Sequence, residues 1–300
     1  MPPTTATRNL SNEELTRAVQ ASFDGAQDER FQEIAHALVS HLHAFAAELQ
    51  LSEEEWFKGI DFLTRVGHIS DDRRQEFVLL SDVLGLSMLV IGLNHRASDQ
   101  ATESTVFGPF FVDGAPGVDH GGDLANGAPG SPCFVSGRIL SATGEPIAGA
   151  RIDVWQADED GLYDVQRPEL DVTQGRGHLH AAADGAFAFW TVLPVAYPIP
   201  DDGPVGELLA AAGRGPMRPA HIHFRVEASG HEVLITHVFK AGDDYLDSDA
   251  VFGVKESLIA PFTRHEAGLA PDGSELGEPF YTVNYDLVLG RASGTGKEVQ

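Results

Sequence analysis

The sequence predicts a mainly β protein in which a β-sandwich follows an α-helical N-terminal domain. Ser11 and Ser52 are each followed three residues later by glutamate, a signature of helix N-termini. Apolar residues recur at helical spacing after Phe31. Beyond residue 105, short β-branched segments alternate with turns rich in Gly and Pro, which is typical of a sandwich.

The helical region covers the first hundred residues. Its clearest stripe is formed by Phe31, Ile34, Leu38, Leu42 and Phe45. A third, more apolar helix is predicted over Leu79–Ile91. It carries too little polar surface to stand alone in water and must pack against the chain or a partner chain. We expect a helical domain over residues 1–104, a sandwich over 105–290 and a frayed tail over 291–300.

The sandwich region contains several short strand candidates separated by turn residues. Pro109–Pro132 holds many Gly, Pro and Asp residues and predicts a long loop. Ala250–Ala260 is expected to form a helix laid over the sandwich. The strand candidates are Cys133–Leu140, Arg151–Gln156, Ala186–Val192, His221–Glu227, Val233–Phe239 and Thr282–Leu289.

The composition limits the classes of partner. With 20 Lys and Arg against 45 Asp and Glu, the formal charge is −25, which repels phosphate backbones and anionic lipid. Nucleic acid is therefore not an expected partner. Cys133 is the single cysteine, residues 1–9 lack the apolar core of a secretory signal, and Phe77–Leu93 is short for a membrane span. These features predict a cytoplasmic protein that is not a membrane protein.

The segment His221-Ile222-His223 is a candidate metal site. On a strand, residues two apart share a face, and imidazoles about 7 Å apart along it can reach one ion. By itself, an H-x-H pair is as often part of an ordinary polar strand face as it is a metal site. A second pair, His178-Leu179-His180, follows a Gly-rich turn and is interpreted as a solvated loop.

Two tyrosines in constrained loops strengthen the metal hypothesis. Tyr163 follows the Arg151–Gln156 strand, and Tyr197 lies in a segment stiffened by Pro194, Pro198 and Pro200. Phenolate is a hard anionic oxygen donor that suits iron(III), and imidazole suits iron as well. Each tyrosine alone is more often a structural anchor, so the prediction depends on the combination.

Three motifs carry a family resemblance: Gly161–Asp164 after the strand Val154–Ala157, then Tyr197–Pro200, then Arg218–Phe224. In this order they resemble the intradiol ring-cleaving dioxygenases, and the resemblance extends over about residues 10 to 290. It implies that the sandwich is the catalytic domain and the helical part a dimerisation domain. Family members dimerise there and can hold a lipid in an apolar tunnel, so a homodimer is expected.

The resemblance also implies roles for single residues. Tyr163, Tyr197, His221 and His223 correspond to the ligands of an Fe(III) cofactor. Arg218 corresponds to the arginine beside the bound substrate. Tyr197 corresponds to the ligand that leaves the iron when substrate binds and helps take its proton.

The segment Thr105–Phe111 resembles the branch of this family that cleaves hydroxyquinol (benzene-1,2,4-triol) with O2 to 3-hydroxy-cis,cis-muconate, the enol form of maleylacetate. Catechol or chlorocatechol is the alternative substrate. Asp82 would accept a hydrogen bond from the third ring hydroxyl, although it is equally an ordinary helix carboxylate. The expected pocket residues are Leu79, Asp82, Val106, Phe107, Gly108, Pro109, Phe110, Ile199, Pro200, His237 and Val251.

Two other functions fit parts of the sequence. The spacing from Gly215 through His221 and His223 to Glu227 matches the front of a cupin metal motif, which would hold a ferrous or manganous ion. The closing glycine of that motif is replaced by Leu234, and its second half is absent. A non-enzymatic binding sandwich with a helical arm is the other alternative.

Overall fold

The computed structural model describes residues 8–71, 74–95, 100–167 and 169–292. The chain divides into two compact units, Met1–Thr64 and Arg65–Gln300. The functional boundaries predicted at residues 104 and 290 stay predictions, and most of the predicted tail, residues 293–300, lies outside the described part of the chain.

The N-terminal helices begin where the capping signatures predict. Helix α1 is Asn12–Ala21, α2 is Glu29–Leu49 and α3 is Glu53–Ile69. Ser11 Oγ accepts the Glu14 backbone N–H at 3.3 Å, and Glu14 accepts the Ser11 N–H at 2.8 Å. The Ser52–Glu55 pair makes the same reciprocal bonds before α3. Each of these capping boxes therefore satisfies backbone N–H groups at the helix N-terminus that would otherwise lack hydrogen-bond partners.

Helix α2 carries an apolar stripe whose side chains are about half exposed. Six of its large apolar side chains are each between 51% and 57% exposed. We call these residues the α2 stripe: Phe31, Ile34, Leu38, Leu42, Phe45 and Leu49. An apolar row of this length on one helix face is typical of an interaction surface.

The third predicted helix is two helices, so the prediction of one element over Leu79–Ile91 is wrong. Helix α4 is Glu76–Val83 and α5 is Leu86–Asn94, and their axes differ by 78°. Gly85 between them has φ +72°, a left-handed conformation that glycine adopts at little cost. Among the described residues no single helix is long and apolar enough to cross a membrane. Within this part of the chain, only the bent pair α4–α5, taken together, has the length and apolar composition of a membrane-spanning segment.

The second unit is built from short strands, with helix α6 at Pro204–Ala211 and 3₁₀ turns at Asp164–Gln166 and Glu256–Leu258. The strands are β1 (Pro132–Ser141), β2 (Arg151–Trp155), β3 (Arg176–His180), β4 (Ala186–Val192), β5 (Tyr197–Pro198), β6 (Met217–Arg218), β7 (His221–Glu227), β8 (Leu234–Lys240), β9 (Ile259–Ala260), β10 (Thr263–His265), β11 (Gly268–Leu269), β12 (Glu275–Leu276), β13 (Phe280–Asn284) and β14 (Leu287–Leu289).

Two five-stranded sheets enclose the main core, which confirms the predicted sandwich. One has the order β10-β13-β1-β14 with β4 also paired to β1, and the other has the order β3-β2-β7-β8-β9. Buried side chains from both sheets, among them Val135, Phe189, Ile152 and Phe224, form one cluster. Alternation along each strand directs every second residue into this core and its neighbours to the opposite face.

Local predictions fail where contacts distant in sequence override them. The predicted helix over Ala250–Ala260 is absent; the segment is a turn, a 3₁₀ turn and strand β9. The Asp249 carboxylate accepts the backbone N–H groups of Val251 at 3.3 Å and Gly253 at 2.9 Å, and so competes with helix formation. Similarly, the solvated loop predicted for His178-Leu179-His180 is strand β3, paired with β2.

The last predicted strand, Thr282–Leu289, is interrupted between β13 and β14. Both parts pair with β1 in parallel. At the break, Tyr285 N–H donates to the Ser136 carbonyl, and the Asp286 carboxylate accepts the Arg138 N–H at 2.8 Å. The chain therefore leaves regular pairing for these residues and then resumes it.

Candidate metal centre

The two histidines lie on the outer face of β7. Ile222 and Phe224 point into the core between the sheets, so alternation directs His221 and His223 to the opposite side. Other elements nevertheless cover this face, because the two histidines are only 2% and 1% exposed. The site is thus a buried polar centre outside the main core.

Two tyrosines from separate loops reach the same point. Tyr163 follows β2, and Tyr197 begins β5, where it pairs with Arg218 of β6. The loops approach so closely that a Cβ on Gly161 would lie 2.7 Å from the Tyr197 Cβ. Gly161 also has φ +77°, so glycine is required there both by conformation and by space.

The four donor atoms form a closed ring. Tyr163 Oη lies 2.9 Å from Tyr197 Oη and 2.9 Å from His223 Nε2. His223 Nε2 lies 3.1 Å from His221 Nε2, which is 3.5 Å from Tyr197 Oη. Four donors at about 2.1 Å from one ion, the usual metal–ligand distance, have mutual separations of this size. The structure therefore brings together the four residues predicted as ligands.

Burial keeps all four groups neutral without a metal. It lowers the pKa of His221 to about 3 and that of His223 well below the usual value. Burial likewise raises the pKa of both tyrosines, most strongly that of Tyr163. Neutral imidazoles offer lone pairs, and a bound cation favours the phenolate form of each tyrosine.

Arg218 places a fixed positive charge beside this ring. Its Nη1 lies 3.2 Å from His221 Nε2, and its Nε donates to Asp249 Oδ1 at 3.1 Å. Burial, the largest single influence, lowers the pKa of Arg218, but the Asp249 carboxylate together with Tyr197 and Tyr163 raises it more, and the net pKa rises. Both partners are buried, so this ion pair is little screened by solvent. It holds the guanidinium in one orientation.

A cavity of about 370 Å³ adjoins the centre. Five of the predicted pocket residues line it: Leu79, Pro109, Phe110, Ile199 and Pro200. Phe110 stacks on Tyr163 with ring centroids 4.4 Å apart, so the cavity wall rests directly on a tyrosine of the ring.

The other predicted pocket residues do not line that cavity. A Cβ on Gly108 would meet His223 Cε1 at 3.4 Å, and Phe107 packs against Trp155. Asp82, Val106, His237 and Val251 are buried, and Asp82 lies within electrostatic range of Arg218. Burial raises the pKa of Asp82, opposed by its bond to Ser87 and by Arg218.

His237 faces His223 across the β7–β8 pair. Ring nitrogens of His221, His223 and His237 all lie within 4.8 Å of one another, so among the described residues these histidines form a second possible ligand set. Glu227, the additional ligand required by the cupin hypothesis, lies at the exposed end of β7 and forms an ion pair with Arg225. It takes no part in the centre.

Sequence reasoning missed three residues that shape the site. Trp155 stacks on His223 with ring centroids 4.7 Å apart, Asp249 holds Arg218, and Thr105 bonds His237 at 2.9 Å. Trp155 falls in Val154–Ala157 and Thr105 begins Thr105–Phe111, and both segments carry the family resemblance, so their positions were a usable signal. Thr105 and His237 are 132 residues apart, and no spacing rule connects them.

Comparison with known proteins agrees with this architecture. Residues 106–291 match the family model described as Dioxygenase, and residues 28–102 match the model described as Catechol dioxygenase N terminus. The fold and these matches define an enzyme class: the chain belongs to the intradiol ring-cleaving dioxygenases. Membership of this family implies a non-haem iron, and the oxygen and nitrogen donors of the centre suit that metal.

Individual relatives are similar over nearly the whole chain. Hydroxyquinol 1,2-dioxygenase of Nocardioides simplex is 50% identical over 97% of this chain and 99% of its own. The 6-chlorohydroxyquinol 1,2-dioxygenase of Cupriavidus pinatubonensis is 54% identical over 92% of this chain and 96% of its own. The crystal structure of hydroxyquinol 1,2-dioxygenase from Pseudomonas putida DLL-E4 superposes with a TM-score of 0.86 at 45% identity, covering 94% of this chain and 99% of that one.

Proposed function

We propose that this enzyme cleaves hydroxyquinol between its adjacent hydroxylated carbons with O2, using Fe(III) held by Tyr163, Tyr197, His221 and His223. The product is 3-hydroxy-cis,cis-muconate, the enol form of maleylacetate. The observation that carries the proposal is the closed ring of four buried donors, with separations between 2.9 and 3.5 Å.

The donor set favours iron(III) over softer or divalent metals. Two phenolates are hard anionic donors, and two neutral imidazoles complete a set whose negative charge offsets much of a ferric ion. Bound Fe(III) would supply the positive charge that ionises the phenols and a chelated diol, and would activate the diol towards O2. A ligand set of His221, His223 and His237 would leave both tyrosines unused.

The side chains of the site supply proton transfer and orientation. Tyr197, as a phenolate, is placed to accept a proton from an incoming substrate hydroxyl. Arg218, held by Asp249 at 3.1 Å, presents a positive charge where negative charge develops on the substrate. Leu79, Phe110 and Ile199 form an apolar part of the cavity wall, which suits contact with an aromatic ring.

Asp82 supports the choice of a triol as substrate. It is 2% exposed, and burial raises its pKa. We propose that this carboxyl group accepts a hydrogen bond from the third ring hydroxyl of the substrate, which a catechol lacks. The curated relatives that act on hydroxyquinol or its 6-chloro derivative support the same choice.

Oxygen uptake with hydroxyquinol and catechol, side by side on iron-loaded protein, tests the proposal. We expect about one iron(III) per chain, a red-brown colour from phenolate-to-iron charge transfer, and the higher kcat/KM with hydroxyquinol. A tenfold preference for catechol or a chlorocatechol, about 1.4 kcal/mol in transition-state binding, would overturn the assigned substrate and leave the ring-cleaving chemistry in place. Active, colourless protein containing zinc or manganese would overturn the metal centre itself.

We further propose that the enzyme is a cytoplasmic homodimer joined through its helical part. The supporting observation is the α2 stripe, whose side chains are each more than half exposed in a single chain. A second copy would cover them, and a lipid chain held between the copies would extend the same apolar contact.

A further inference from the structure

His237 contacts a proposed metal ligand through one ring nitrogen and a hydroxyl through the other. It is completely buried on β8, directly opposite His223 on β7. Its Nε2 lies 2.7 Å from His223 Nδ1, and its Nδ1 lies 2.9 Å from Thr105 Oγ1. Because both nitrogens are occupied, His237 cannot offer a lone pair to the ring of donors without breaking a buried hydrogen bond.

The bond between the two imidazoles can be satisfied in two ways. If His223 carries its proton on Nδ1, it donates to His237, and His223 Nε2 keeps a lone pair. If His237 donates instead, a neutral His223 must carry its proton on Nε2, which blocks that atom as a ligand. The tautomer of His237 therefore decides whether His223 can bind a metal.

His221 shows the same arrangement with a different acceptor. Its Nδ1 lies 2.6 Å from the Pro219 carbonyl oxygen. A carbonyl only accepts, so His221 carries its proton on Nδ1 and leaves Nε2 free. The chain thus supplies one acceptor for each of the two histidines: a backbone oxygen for His221 and the imidazole of His237 for His223.

We propose that His237 is a positioning residue: it accepts the Nδ1 proton of His223, donates its own Nδ1 proton to Thr105, and so fixes His223 Nε2 as a ligand atom. This proposal rests on the proposed function, in which His223 is an iron ligand. Outer hydrogen bonds of this kind orient a ligand and raise its basicity. His237 then acts through His223, and its contribution appears first in metal binding.

A pair of variants of nearly equal size tests this role. His237→Gln keeps an accepting oxygen, whereas His237→Met has a similar unbranched length and no strong acceptor. We expect the glutamine variant to bind Fe(III) within about threefold of wild type and the methionine variant to bind it about 10- to 100-fold more weakly, measured by competition with a chelator. The visible charge-transfer band should shift in the methionine variant and stay close to wild type in the glutamine variant.

Other outcomes would overturn the proposal. Wild-type iron affinity in both variants, with only kcat or KM changed, would mean that His237 acts on the substrate. Equal loss of iron in both would mean that His237 is itself a ligand. Failure of the wild-type protein to bind iron would instead defeat the proposed function. His178→Met is the matched control and should keep wild-type affinity, because that imidazole bonds the Ala115 carbonyl outside the donor ring.

A measurement on the wild-type protein avoids any folding defect of the variants. In protein loaded with gallium(III), a diamagnetic trivalent probe, ¹⁵N NMR of labelled histidines reports the tautomer of each ring. We expect His237 to carry its proton on Nδ1. A proton on His237 Nε2 would overturn the proposal, because that ring could not then accept from His223.

Discussion

Replacing Tyr197 with phenylalanine separates its role from that of Tyr163. The change removes one oxygen atom, which lies 2.9 Å from Tyr163 Oη and 3.5 Å from His221 Nε2. The ring remains, together with its contacts to the rings of Tyr163 and His221, each with centroids 5.5 Å apart. Packing is therefore preserved while one anionic ligand and the proposed proton acceptor are lost.

The size of the effect follows from the role of a general base. Loss of such a group costs on the order of 10²–10⁴-fold in rate, or about 3–5 kcal/mol in the barrier. Three donors remain in Tyr197→Phe, so iron should be retained at least in part. Substrate deprotonation should be the step that slows, and raising the pH should restore part of the rate because hydroxide can replace the missing base.

The assay is oxygen uptake across pH with hydroxyquinol, with iron content measured on the same samples. Tyr285→Phe is the matched control and should keep wild-type activity, since its hydroxyl donates to the Ser257 carbonyl at 2.7 Å, away from the donor ring. The assigned role is refuted if Tyr197→Phe holds iron and keeps wild-type kcat/KM at every pH.

Three further predictions follow from the structure. Asp249→Asn should lower kcat/KM about 10- to 100-fold at unchanged iron content, because Arg218 loses its anionic partner. The control Asp247→Asn, at an exposed position, should keep wild-type kcat/KM. Equal kinetics in the two variants would contradict the role of Asp249 in positioning Arg218. The metal-free protein should lose stability as pH falls from about 6.5, the pKa of a histidine in the unfolded chain, towards 3. Burial holds the pKa of folded His221 at about 3, so the unfolded state binds more protons across this window. The unfolding free energy should then fall by up to about 1.4 kcal/mol per pH unit for each such histidine. Urea titrations from pH 7.5 to 5 with no change in unfolding free energy would contradict this. Light scattering at micromolar concentration should give twice the 32.2 kDa chain mass, and Leu38→Asp should reduce it to one chain; a monomeric wild type would argue against the dimer.

The sequence alone determined the features that depend on short-range order. Helix N-termini at Ser11 and Ser52 follow from residues three apart, and the shared face of His221 and His223 follows from the two-residue period of a strand. The three motifs predicted the family, which the comparisons confirm. The assignment of individual ligands and pocket residues stays a prediction until metal and kinetic measurements are made.

Only the tertiary structure decided the features that depend on residues far apart in sequence. The Ala250–Ala260 segment was expected to be a helix, yet Asp249 holds its start in a turn and the pairing of β9 with β8 holds its end extended. The bond of His237 to His223 exists because β8 lies beside β7, and its bond to Thr105 joins residues 132 positions apart. Sequence periodicity specifies which face of an element a side chain occupies, whereas sheet register specifies which side chain it meets there.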